Sequence, residues 1–536
     1  MKPPGTGDAL RVHPPLITGL LRPEAYTHRV IEPIRLVETH VSWVLLTGEV
    51  AYKVKKPLRL SFLDYSTLAR RRALCEEEVR LNQRHAPDLY LGVSVIGGPA
   101  EVPRVDGSES PLEYAVRMRQ FDAGDELGAL LAADAVTTEE MARLGVDIAR
   151  LHENAAQAPP DGGYGHPGTV RRVTMDNFAE LRRLPECVTE PGALERLEAG
   201  VTDEFSKRQQ LMLSRRDADR VRECHGDLHC GNVVRWHGRL TPFDGIEFDP
   251  ALRFIDVVND IAFLTMDLAE RGRTDLRHAA LQAWCESSGD FTGLSLLPYY
   301  ECYRALVRAK VAALGALQAP MPSTRRDDAV AICRRYLDWA GGRLAPRRPV
   351  LVLTCGLSGS GKTWLARAIA PPLGALHVRS DVERKRLAGL EPHQDSRSEP
   401  DGGIYTLEFN ARTYQRLEEC AAAALAGGES LIVDAAFLRL GERRRFLDLA
   451  SAANAHAAIL HCHAPDAVLR QRVASRSAAR TDASEAGIDV LERQPSYWEG
   501  FDELELAHVL EVDTSAARAA EDALAGLQAR LTRLED

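Results

Sequence analysis

The sequence contains no long apolar segment and no apolar leader, and both absences bear on where the protein works. No apolar run among the 536 residues approaches the roughly 18–20 residues that a bilayer-spanning helix needs. The opening residues, Met1-Lys-Pro-Pro-Gly5, contain no apolar core of the kind found in secretory signals. We therefore expect a cytoplasmic protein that makes no contact with membranes.

Paired cysteines and an excess of positive charge are also missing. The ten cysteines occur singly, without a C-x-x-C pair and without the Cys/His spacing of zinc sites. This distribution predicts reduced thiols, as in the cytoplasm. The net charge of −10 argues against nucleic acid as a partner of the whole surface.

Lysine is scarce, since only eight of the 67 basic residues are lysines. The lysine ammonium is a compact charge that commonly binds phosphate. Five of the eight stand at Lys53, Lys55, Lys56, Lys362 and Lys385. The remaining composition, 45% hydrophobic and 27% charged residues, is that of a globular protein, and the length predicts two to four domains.

A Gly/Pro/Arg stretch, Gly341–Pro349, precedes an abrupt apolar run and indicates a domain boundary near residue 345. We predict domains at residues 25–340 and 346–536. The first begins with strands and continues with helices; its predicted elements are strands within 41–56, a helix over 66–85, a strand over 113–121 and helices over 125–220 and 256–340. In the second, predicted strands at 350–355, 430–434, 457–463 and 508–513 alternate with helices at 362–370, 405–426, 441–454 and 465–475. Such alternation predicts a parallel sheet covered by helices.

The segment Gly356–Thr363 matches the complete pattern G-x-x-x-x-G-K-[ST], between a predicted strand and a predicted helix. Glycines allow backbone N–H groups to surround phosphate oxygens, and the helix N-terminus favours negative charge. Lys362 would reach the β- and γ-phosphates of ATP, and Thr363 would help to hold Mg²⁺. The predicted nucleotide-binding residues are Gly356, Ser358, Gly359, Ser360, Gly361, Lys362 and Thr363.

Polar residues elsewhere in this domain complete the predicted site. Asp434 ends an apolar strand and would support the metal. Asp381 would orient or deprotonate an accepting hydroxyl, with Arg384 holding the substrate; a helix-capping role for Asp381 is the alternative. A group of arginines would form a lid, although a solvated helical face explains most of them equally well; we favour Arg476 as catalytic. The group is Arg470, Arg472, Arg476 and Arg480.

These motifs resemble a group of small P-loop kinases that includes gluconate kinase, chloramphenicol phosphotransferase and the kinase domain of polynucleotide kinase. The resemblance covers about residues 348–535. It implies phosphorylation of a hydroxyl group.

Upstream, the run His225-Gly-Asp-Leu-His-Cys-Gly-Asn232 matches the catalytic loop H-R-D-x-x-x-x-N of protein kinases, with Gly226 in place of arginine. Asp227 would accept the proton of an attacking hydroxyl, and Asn232 would bind Mg²⁺. Asp244 follows after a short strand and turn, where the second metal-binding aspartate is expected.

Earlier residues fit the same site. Lys53, in Val50-Ala-Tyr-Lys53, would bind phosphate; Lys55 lies on the same strand face and is the alternative. Glu78 on the following helix would pair with the lysine. Residues 113–121 would form the hinge that holds adenine.

The form HGDLHxxN resembles the aminoglycoside phosphotransferase and choline kinase branch of the kinase-like fold, over about residues 25–340. This resemblance implies a bilobal fold, ATP, Mg²⁺ and transfer to a small molecule. The glycine-rich loop is missing, because Glu38-Thr-His-Val-Ser-Trp43 stands in its place. Asp256 and Asp260 could shape the acceptor pocket, but capping or core hydrogen bonding is the favoured role.

The whole chain resembles bacterial proteins that join an aminoglycoside phosphotransferase-like domain to an ATP-binding domain. We expect a bilobal protein-kinase-like fold followed by a parallel-sheet α/β P-loop domain. The predicted function is ATP-dependent phosphate transfer to a hydroxyl of a sugar, aminoglycoside or nucleoside-like molecule, at two nucleotide sites. Two alternatives remain: an active P-loop kinase with a regulatory or substrate-binding N-terminal domain, and a polynucleotide 5′-hydroxyl kinase. The sequence leaves open the acceptor, the oligomeric state and any role in antibiotic resistance.

Overall fold

A computed structural model describes residues 13–60, 63–107, 109–188, 190–318, 323–398, 402–479 and 482–535. They form two compact units. The first unit contains the described residues up to Val136, Asn154–Gly165 and Asp219–Asp260. The second contains Thr137–Glu153, His166–Ala218 and the described residues from Ile261 onward. All ten cysteines are buried free thiols, and in the described ranges every helix is too short or too polar to cross a bilayer.

The strands of the described residues fall into one antiparallel sheet, one parallel sheet and short two-stranded pairs. Their bounds are β1 (Arg35–Glu38), β2 (Ser42–Leu46), β3 (Val50–Lys55), β4 (Arg59–Leu60), β5 (Leu63–Asp64), β6 (Tyr90–Gly97), β7 (Arg104–Val105), β8 (Pro111–Arg119), β9 (Val221–Glu223), β10 (Val233–Trp236), β11 (Arg239–Pro242), β12 (Phe254–Asp256), β13 (Val350–Cys355), β14 (Ala375–Arg379), β15 (Ser430–Asp434), β16 (His456–His463) and β17 (Val509–Asp513).

Helices connect and cover these strands. Their bounds are α1 (Pro15–Leu20), α2 (Leu68–Asn82), α3 (Leu127–Ala132), α4 (Thr138–Asn154), α5 (Pro167–Leu181), α6 (Ala193–Asp217), α7 (Pro250–Arg253), α8 (Val257–Glu270), α9 (Thr274–Ser288), α10 (Leu297–Gln318), α11 (Thr324–Leu344), α12 (Lys362–Leu373), α13 (Ser380–Leu387), α14 (Leu407–Ala426), α15 (Leu440–Ala452), α16 (Asp466–Ala479), α17 (Ile488–Arg493), α18 (Glu503–Leu506) and α19 (Ala519–Glu535).

The first unit is built on a six-stranded antiparallel sheet in the order β1-β2-β3-β8-β6-β7. Because side chains alternate between the two faces of a strand, β3 divides its residues between two layers. Tyr52 and Val54 enter a hydrophobic core on one face. Lys53 and Lys55 point to the opposite face, where Glu78 of α2 meets both ammonium groups. The sheet thereby brings lysine and glutamate side chains together.

The second unit contains a parallel sheet in the order β14-β15-β13-β16-β17. Every residue of central strand β13 is buried, as expected when helices cover both faces. Leu365 and Ile369 of α12 pack against it. The carboxyl ends of parallel strands share one edge, where ligands bind in such sheets. That edge carries the loop after β13, the start of α13 after β14, and Asp434 at the end of β15.

The predicted strands 350–355 and 430–434 agree with β13 and β15, and 457–463 and 508–513 differ from β16 and β17 by one residue at the start. A further strand of this sheet, Ala375–Arg379, precedes Asp381. Helix α14 begins two residues later than predicted, because the Thr406 hydroxyl caps it by accepting from the Phe409 amide at 3.3 Å. The alternation of strand and helix predicted from the sequence is thus observed.

The predicted boundary near residue 345 lies just after the end of α11 and before β13. Both elements belong to the second compact unit, together with α9 and α10. The division into domains at 25–340 and 346–536 therefore stays a prediction.

Candidate functional site

The loop between β13 and α12 has the geometry of a phosphate-binding loop. Gly356, Gly359 and Gly361 have φ angles of 138°, 81° and 84°, in the region that favours glycine. A side chain on Gly356 would overlap the carbonyl oxygen of Cys462. The glycines are therefore required both by the backbone angles and by the close approach of β16.

Lys362 begins α12 and folds back over the loop. Its Nζ donates to the carbonyl oxygens of Gly356 and Leu357, at 2.9 and 2.8 Å. Burial lowers the pKa of Lys362, because desolvation disfavours the ammonium. Ser360 in the same loop is almost fully buried, and its hydroxyl has no hydrogen-bond partner among the described residues. A buried polar atom without a hydrogen-bond partner is expected where a phosphate or metal ligand binds.

Asp434 lies at the centre of the neighbouring polar cluster. Its carboxylate accepts hydrogen bonds from the hydroxyls of Thr363 at 2.6 Å and Thr354 at 3.1 Å. His377 Nε2 lies 3.3 Å away and Arg379 Nε lies 3.8 Å away. Burial alone would raise the pKa of Asp434, but these partners hold it down at about 2. The carboxylate is therefore ionised at neutral pH.

The hydroxyl of Thr363 and the carboxylate of Asp434 are hard oxygen donors, which is the ligand type that Mg²⁺ prefers. They lie with Lys362 at the mouth of the loop. The residues present thus fit the predicted magnesium site.

A cavity of about 1330 Å³ opens at this edge of the sheet. It brings together most of the residues predicted for the site. The predicted residues that line it are Ser358, Gly359, Gly361, Lys362, Thr363, Asp381, Arg384, Asp434 and Arg476. Gly356 and Ser360 instead line a separate cavity of about 240 Å³, together with His461 and Trp498.

Asp381 lies in the first turn of α13, after the N-cap residue Arg379. It is therefore not the capping residue considered as an alternative. No side chain or amide among the described residues hydrogen-bonds or ion-pairs with its carboxylate, which lines the cavity. The geometry leaves this carboxylate able to contact an acceptor.

Arg384 also lines the cavity, but its guanidinium already forms hydrogen bonds with nearby residues of the same protein. One terminal nitrogen donates to the Ile404 carbonyl oxygen at 3.0 Å and the other to Asn410 Oδ1 at 2.8 Å. Its guanidinium also lies 5.2 Å from the ring centre of Tyr405. In this arrangement Arg384 fixes the wall of the cavity, and its predicted substrate contact stays a prediction.

The predicted lid arginines differ in position. Arg476 lines the cavity and donates to the Ala486 carbonyl oxygen at 2.8 Å. Arg472 also lines it and donates to the Gly359 carbonyl oxygen of the phosphate loop at 3.3 Å. Arg470 pairs with Asp466 and Glu492 on the exposed side of α16. Arg480 lies outside the described residues.

In the first unit, Lys53 occupies the centre of the second predicted site. Its Nζ lies 2.9 Å from Glu78 Oε1 and 2.5 Å from Asp244 Oδ1. Burial lowers its pKa, but the carboxylates of Asp244 and Glu78 outweigh burial, so that the pKa lies well above the usual value. The structure thus joins three residues that the sequence placed in one site.

The predicted catalytic loop adopts a fixed conformation. Asn232 Nδ2 donates to the backbone carbonyl and to Oδ2 of Asp227, both at 2.9 Å. Buried Asp260 accepts the backbone N–H groups of His225 and Gly226, at 3.1 and 2.9 Å. Asp260 therefore has the favoured core role, as does Asp256, whose carboxylate caps the start of α8 by accepting from the Val258 amide.

His225 links two segments of this site, the loop that contains Asp227 and the segment that follows β11 at Phe243. Its Nδ1 accepts the Asp227 amide at 3.3 Å, so Nε2 carries the proton and donates to the Phe243 carbonyl oxygen at 2.9 Å. Burial lowers the pKa of His225 and keeps the ring neutral. The next residue, Asp244, has a φ of 62°, and its amide donates to the Tyr90 hydroxyl at 3.0 Å. His225 therefore connects the backbone of Asp227 to the residue that precedes Asp244.

Sequence reasoning missed a second buried charge cluster beside Lys53. Lys55 is fully buried and ion-pairs with Glu78 at 2.6 Å and with Glu247. Tyr65 donates a hydrogen bond to Glu247. The two lysines at i and i+2 of β3 indicate a shared partner, but nothing in the local pattern indicates Glu247, 192 positions away from Lys55.

His377 and Arg379 beside Asp434 were also missed. They alternate with the apolar residues Leu376 and Val378 along β14, and this period-two pattern could have revealed them.

In the first unit, Thr39 closes the β1–β2 turn by accepting the Ser42 amide at 2.9 Å. In the segment that replaces the glycine-rich loop, this hydroxyl therefore stabilises the turn.

A family model described as AAA domain (AAA_33) matches residues 351–500. The chain is 30% identical over 468 residues to the uncharacterized protein Rv2004c of Mycobacterium tuberculosis (strain ATCC 25618 / H37Rv), an alignment that covers 86% of this chain and 90% of the relative. The uncharacterized protein Mb2027c of Mycobacterium bovis (strain ATCC BAA-935 / AF2122/97) gives the same values.

Among solved structures, a gluconokinase from Sinorhizobium meliloti 1021 is 22% identical, with 35% of this chain and 98% of that chain covered and a TM-score of 0.27. A choline/ethanolamine kinase family protein from Mesorhizobium loti is 13% identical, with 59% and 94% covered and a TM-score of 0.33. Amicoumacin kinase hAmiN in complex with AMP-PNP, Ca²⁺ and Ami is 12% identical, with 60% and 92% covered and a TM-score of 0.37.

The chain belongs to the same family as the two mycobacterial proteins. The parallel sheet, the loop at 356–363 and the AAA-domain match confirm the predicted P-loop fold of the C-terminal part. The antiparallel sheet with its Lys53–Glu78 pair and the Asp227–Asn232 loop agrees with the kinase-like fold predicted upstream. The predicted fusion of a kinase-like part with a P-loop kinase-type part is therefore confirmed at the level of the fold.

Proposed function

We propose that this member of the family is an ATP-dependent phosphotransferase with two nucleotide sites, which transfers phosphate to hydroxyl groups of small molecules. A sugar, an aminoglycoside or a nucleoside-like compound has the hydroxyl groups that either site requires. The observation that carries the proposal is the second unit's cavity, which combines the phosphate loop, the Thr363–Asp434 pair and the Asp381 carboxylate.

At the P-loop site, the loop amides and Lys362 bind the phosphates of ATP. Thr363 and Asp434 would hold Mg²⁺, which would neutralise charge on the phosphate oxygens when bound. Asp381 orients the acceptor hydroxyl and accepts its proton. Arg472 and Arg476 stabilise the negative charge on the transferring group. This site therefore contains a group for each requirement of phosphate transfer.

At the upstream site, Asp227 accepts the proton of the acceptor hydroxyl as its oxygen attacks the γ-phosphorus and the bond to the leaving ADP oxygen breaks. Asn232 and Asp244 are the oxygen donors for Mg²⁺. Lys53 binds phosphate and is oriented by Glu78. The hydrogen bond from Asn232 to Asp227 and the ion pair of Lys53 with Asp244 support this assignment, because each brings two of the proposed groups together.

The test is transfer of labelled phosphate from ATP to a panel of hydroxylated acceptors by the full chain, by Lys362→Ala and by Asp227→Ala. We expect each variant to lose transfer to a different set of acceptors. Exposed Asp161→Asn and Lys207→Ala serve as matched controls. If Asp227→Ala leaves every transfer intact, the upstream site is not catalytic and the regulatory alternative is favoured. Labelling confined to 5′-hydroxyl oligonucleotides would instead support the polynucleotide kinase alternative.

A further inference from the structure

The outer edge of the parallel sheet is paired with a side chain rather than with another strand. β14 is the edge strand, and Gln282 of α9 binds it at a single residue. Gln282 Nε2 donates to the His377 carbonyl oxygen at 2.9 Å, and Gln282 Oε1 accepts the His377 amide at 2.8 Å. The side-chain amide thereby occupies both hydrogen-bonding positions that a neighbouring strand would use.

The residue that Gln282 binds also reaches the P-loop site. The His377 side chain lies in the interior and contacts Asp434, which in turn accepts the Thr363 hydroxyl. Arg379 lies on the same face of β14, directly beside Asp434 in the strand register. A continuous set of contacts therefore runs from α9 through β14 to the two oxygen donors proposed for Mg²⁺.

The C-terminal end of α9 and the residue that follows it also contact neighbouring helices, among them α13, the helix that follows β14. Arg386 of α13 donates to the Glu286 carbonyl oxygen at 2.7 Å. Arg416 of α14 ion-pairs with Glu383 of α13 at 2.9 Å and donates to the Gly289 carbonyl oxygen at 2.6 Å. Glu383 is almost fully buried, so this contact is shielded from water. α13 carries Asp381, the proposed proton acceptor.

We propose that α9 fixes β14 and α13 in the position that the P-loop site requires, and that Gln282 is the positioning residue for His377 and Asp434. The inference rests on the proposed function of that site. Its consequence is that activity of the C-terminal part depends on a helix more than 60 residues upstream of the phosphate loop, by the numbering of α9 and Gly356. Within the described ranges, the Gln282 side chain hydrogen-bonds only to the backbone of His377, and it acts through that residue.

Covering an edge strand also prevents unwanted strand pairing, and the experiment must separate this role from positioning. The key variant is Gln282→Leu, which keeps the size of the side chain and removes both hydrogen bonds. Gln282→Glu keeps the acceptor for the His377 amide and removes the donor. Glu286→Gln is the matched control, because only the backbone carbonyl of this exposed residue takes part in the contact.

The measurements use the full chain, a fluorescent ATP analogue with and without Mg²⁺, the Mg²⁺ concentration for half-maximal phosphate transfer, and thermal unfolding. We expect Gln282→Leu to raise the Mg²⁺ requirement about tenfold, since residues that orient metal ligands typically contribute 10- to 100-fold. Analogue binding in EDTA should stay within about twofold of the parent, because Lys362 and the loop are unchanged. Gln282→Glu should give an intermediate requirement.

A Gln282→Leu protein with the Mg²⁺ requirement of Glu286→Gln would overturn the inference. So would a parallel loss of thermal stability and of metal-free nucleotide binding, which a purely structural role predicts. If Gln282→Leu fails to fold, the same comparison is made with Gln282→Glu. Failure of the proposed function is recognised separately, because Lys362→Ala would then bind the ATP analogue as tightly as the parent chain.

Discussion

The two proposed sites treat their phosphate lysines differently. Lys53 is flanked by the carboxylates of Glu78 and Asp244, and its pKa lies well above the usual value. Lys362 donates only to the carbonyl oxygens of Gly356 and Leu357, and no carboxylate among the described residues lies within ion-pair distance. Burial lowers its pKa.

This difference has a consequence for binding. A buried ammonium that has no carboxylate within ion-pair distance gains much from an incoming phosphate, because charges interact strongly where water is excluded. At Lys53 a phosphate must compete with two carboxylates that already neutralise the ammonium. We therefore expect the P-loop site to bind ATP more tightly than the upstream site.

The largest effect is expected for Lys362→Ala. Removing this charge should lower phosphate transfer at the P-loop site about 100- to 1,000-fold, the range seen when one donor to a transition-state anion is removed. Binding of a fluorescent ATP analogue measures the ground-state part. Lys207→Ala, on an exposed face of α6, is the control and should match the parent. If Lys362→Ala binds the analogue more tightly than Lys53→Ala does, the upstream site is the tighter of the two, and the expected order of affinities is wrong.

Within the upstream site the comparison can be sharpened with Lys55→Met. Lys55 is fully buried between Glu78 and Glu247, so its removal leaves carboxylates buried with fewer partners. We expect a loss of about 3–5 kcal/mol in the free energy of unfolding, measured by urea titration. Lys53→Met should cost less stability, because Lys55 still pairs with Glu78, and should lower transfer instead. Equal stability losses would show that the lysines have one shared role.

The acid dependence of stability tests the ionised state of Glu78. Burial would raise its pKa, but the two lysines hold it at about 2, below the ordinary value of 4.5. A depressed pKa in the folded chain contributes stability that is full above about pH 4.5 and is lost as pH falls towards 2. Glu78→Gln should therefore be less stable than the parent at pH 6, and the gap should narrow steadily as the pH is lowered from 4.5. A constant gap would contradict the assignment.

Local patterns predicted much of this arrangement. The phosphate loop and the strand before it depend on consecutive residues, and Asp434 follows from the rule that parallel strands end at one edge. The pairing of Lys53 with Glu78 is expected from the resemblance to the lysine–glutamate pair of kinases. In contrast, Gln282 and His377 are 95 positions apart, and Lys55 and Glu247 are 192 apart. Such contacts depend on how helices pack against sheets, which a single sequence does not encode in a readable spacing.

Arg384 and the lid arginines show the same limit. Their spacing predicts a group of arginines on one helix, but neither which of them line the cavity nor which nitrogen atoms are already used. Arg384 uses both terminal nitrogens within the protein, whereas Asp381, three positions earlier, has none of its carboxylate oxygens used by described residues. Only the packing of residues 404–410 against α13 decides this difference.

The smallest effect separates Arg476 from Arg470 on the same helix. Arg476 lines the cavity, while Arg470 is exposed and paired with Asp466 and Glu492. We expect Arg476→Ala to lower the rate of phosphate transfer at the P-loop site about tenfold or more, because it removes positive charge near the transferring group. Arg470→Ala should leave this rate unchanged, and it should change the free energy of unfolding by no more than about 0.5 kcal/mol, as for other exposed ion pairs. Steady-state kinetics with saturating ATP measures the two rates, and urea titration measures the free energy of unfolding. Equal rates for the two variants would mean that Arg476 contributes no charge to the reaction, and that Lys362 and Arg472 supply the positive charge of the P-loop site.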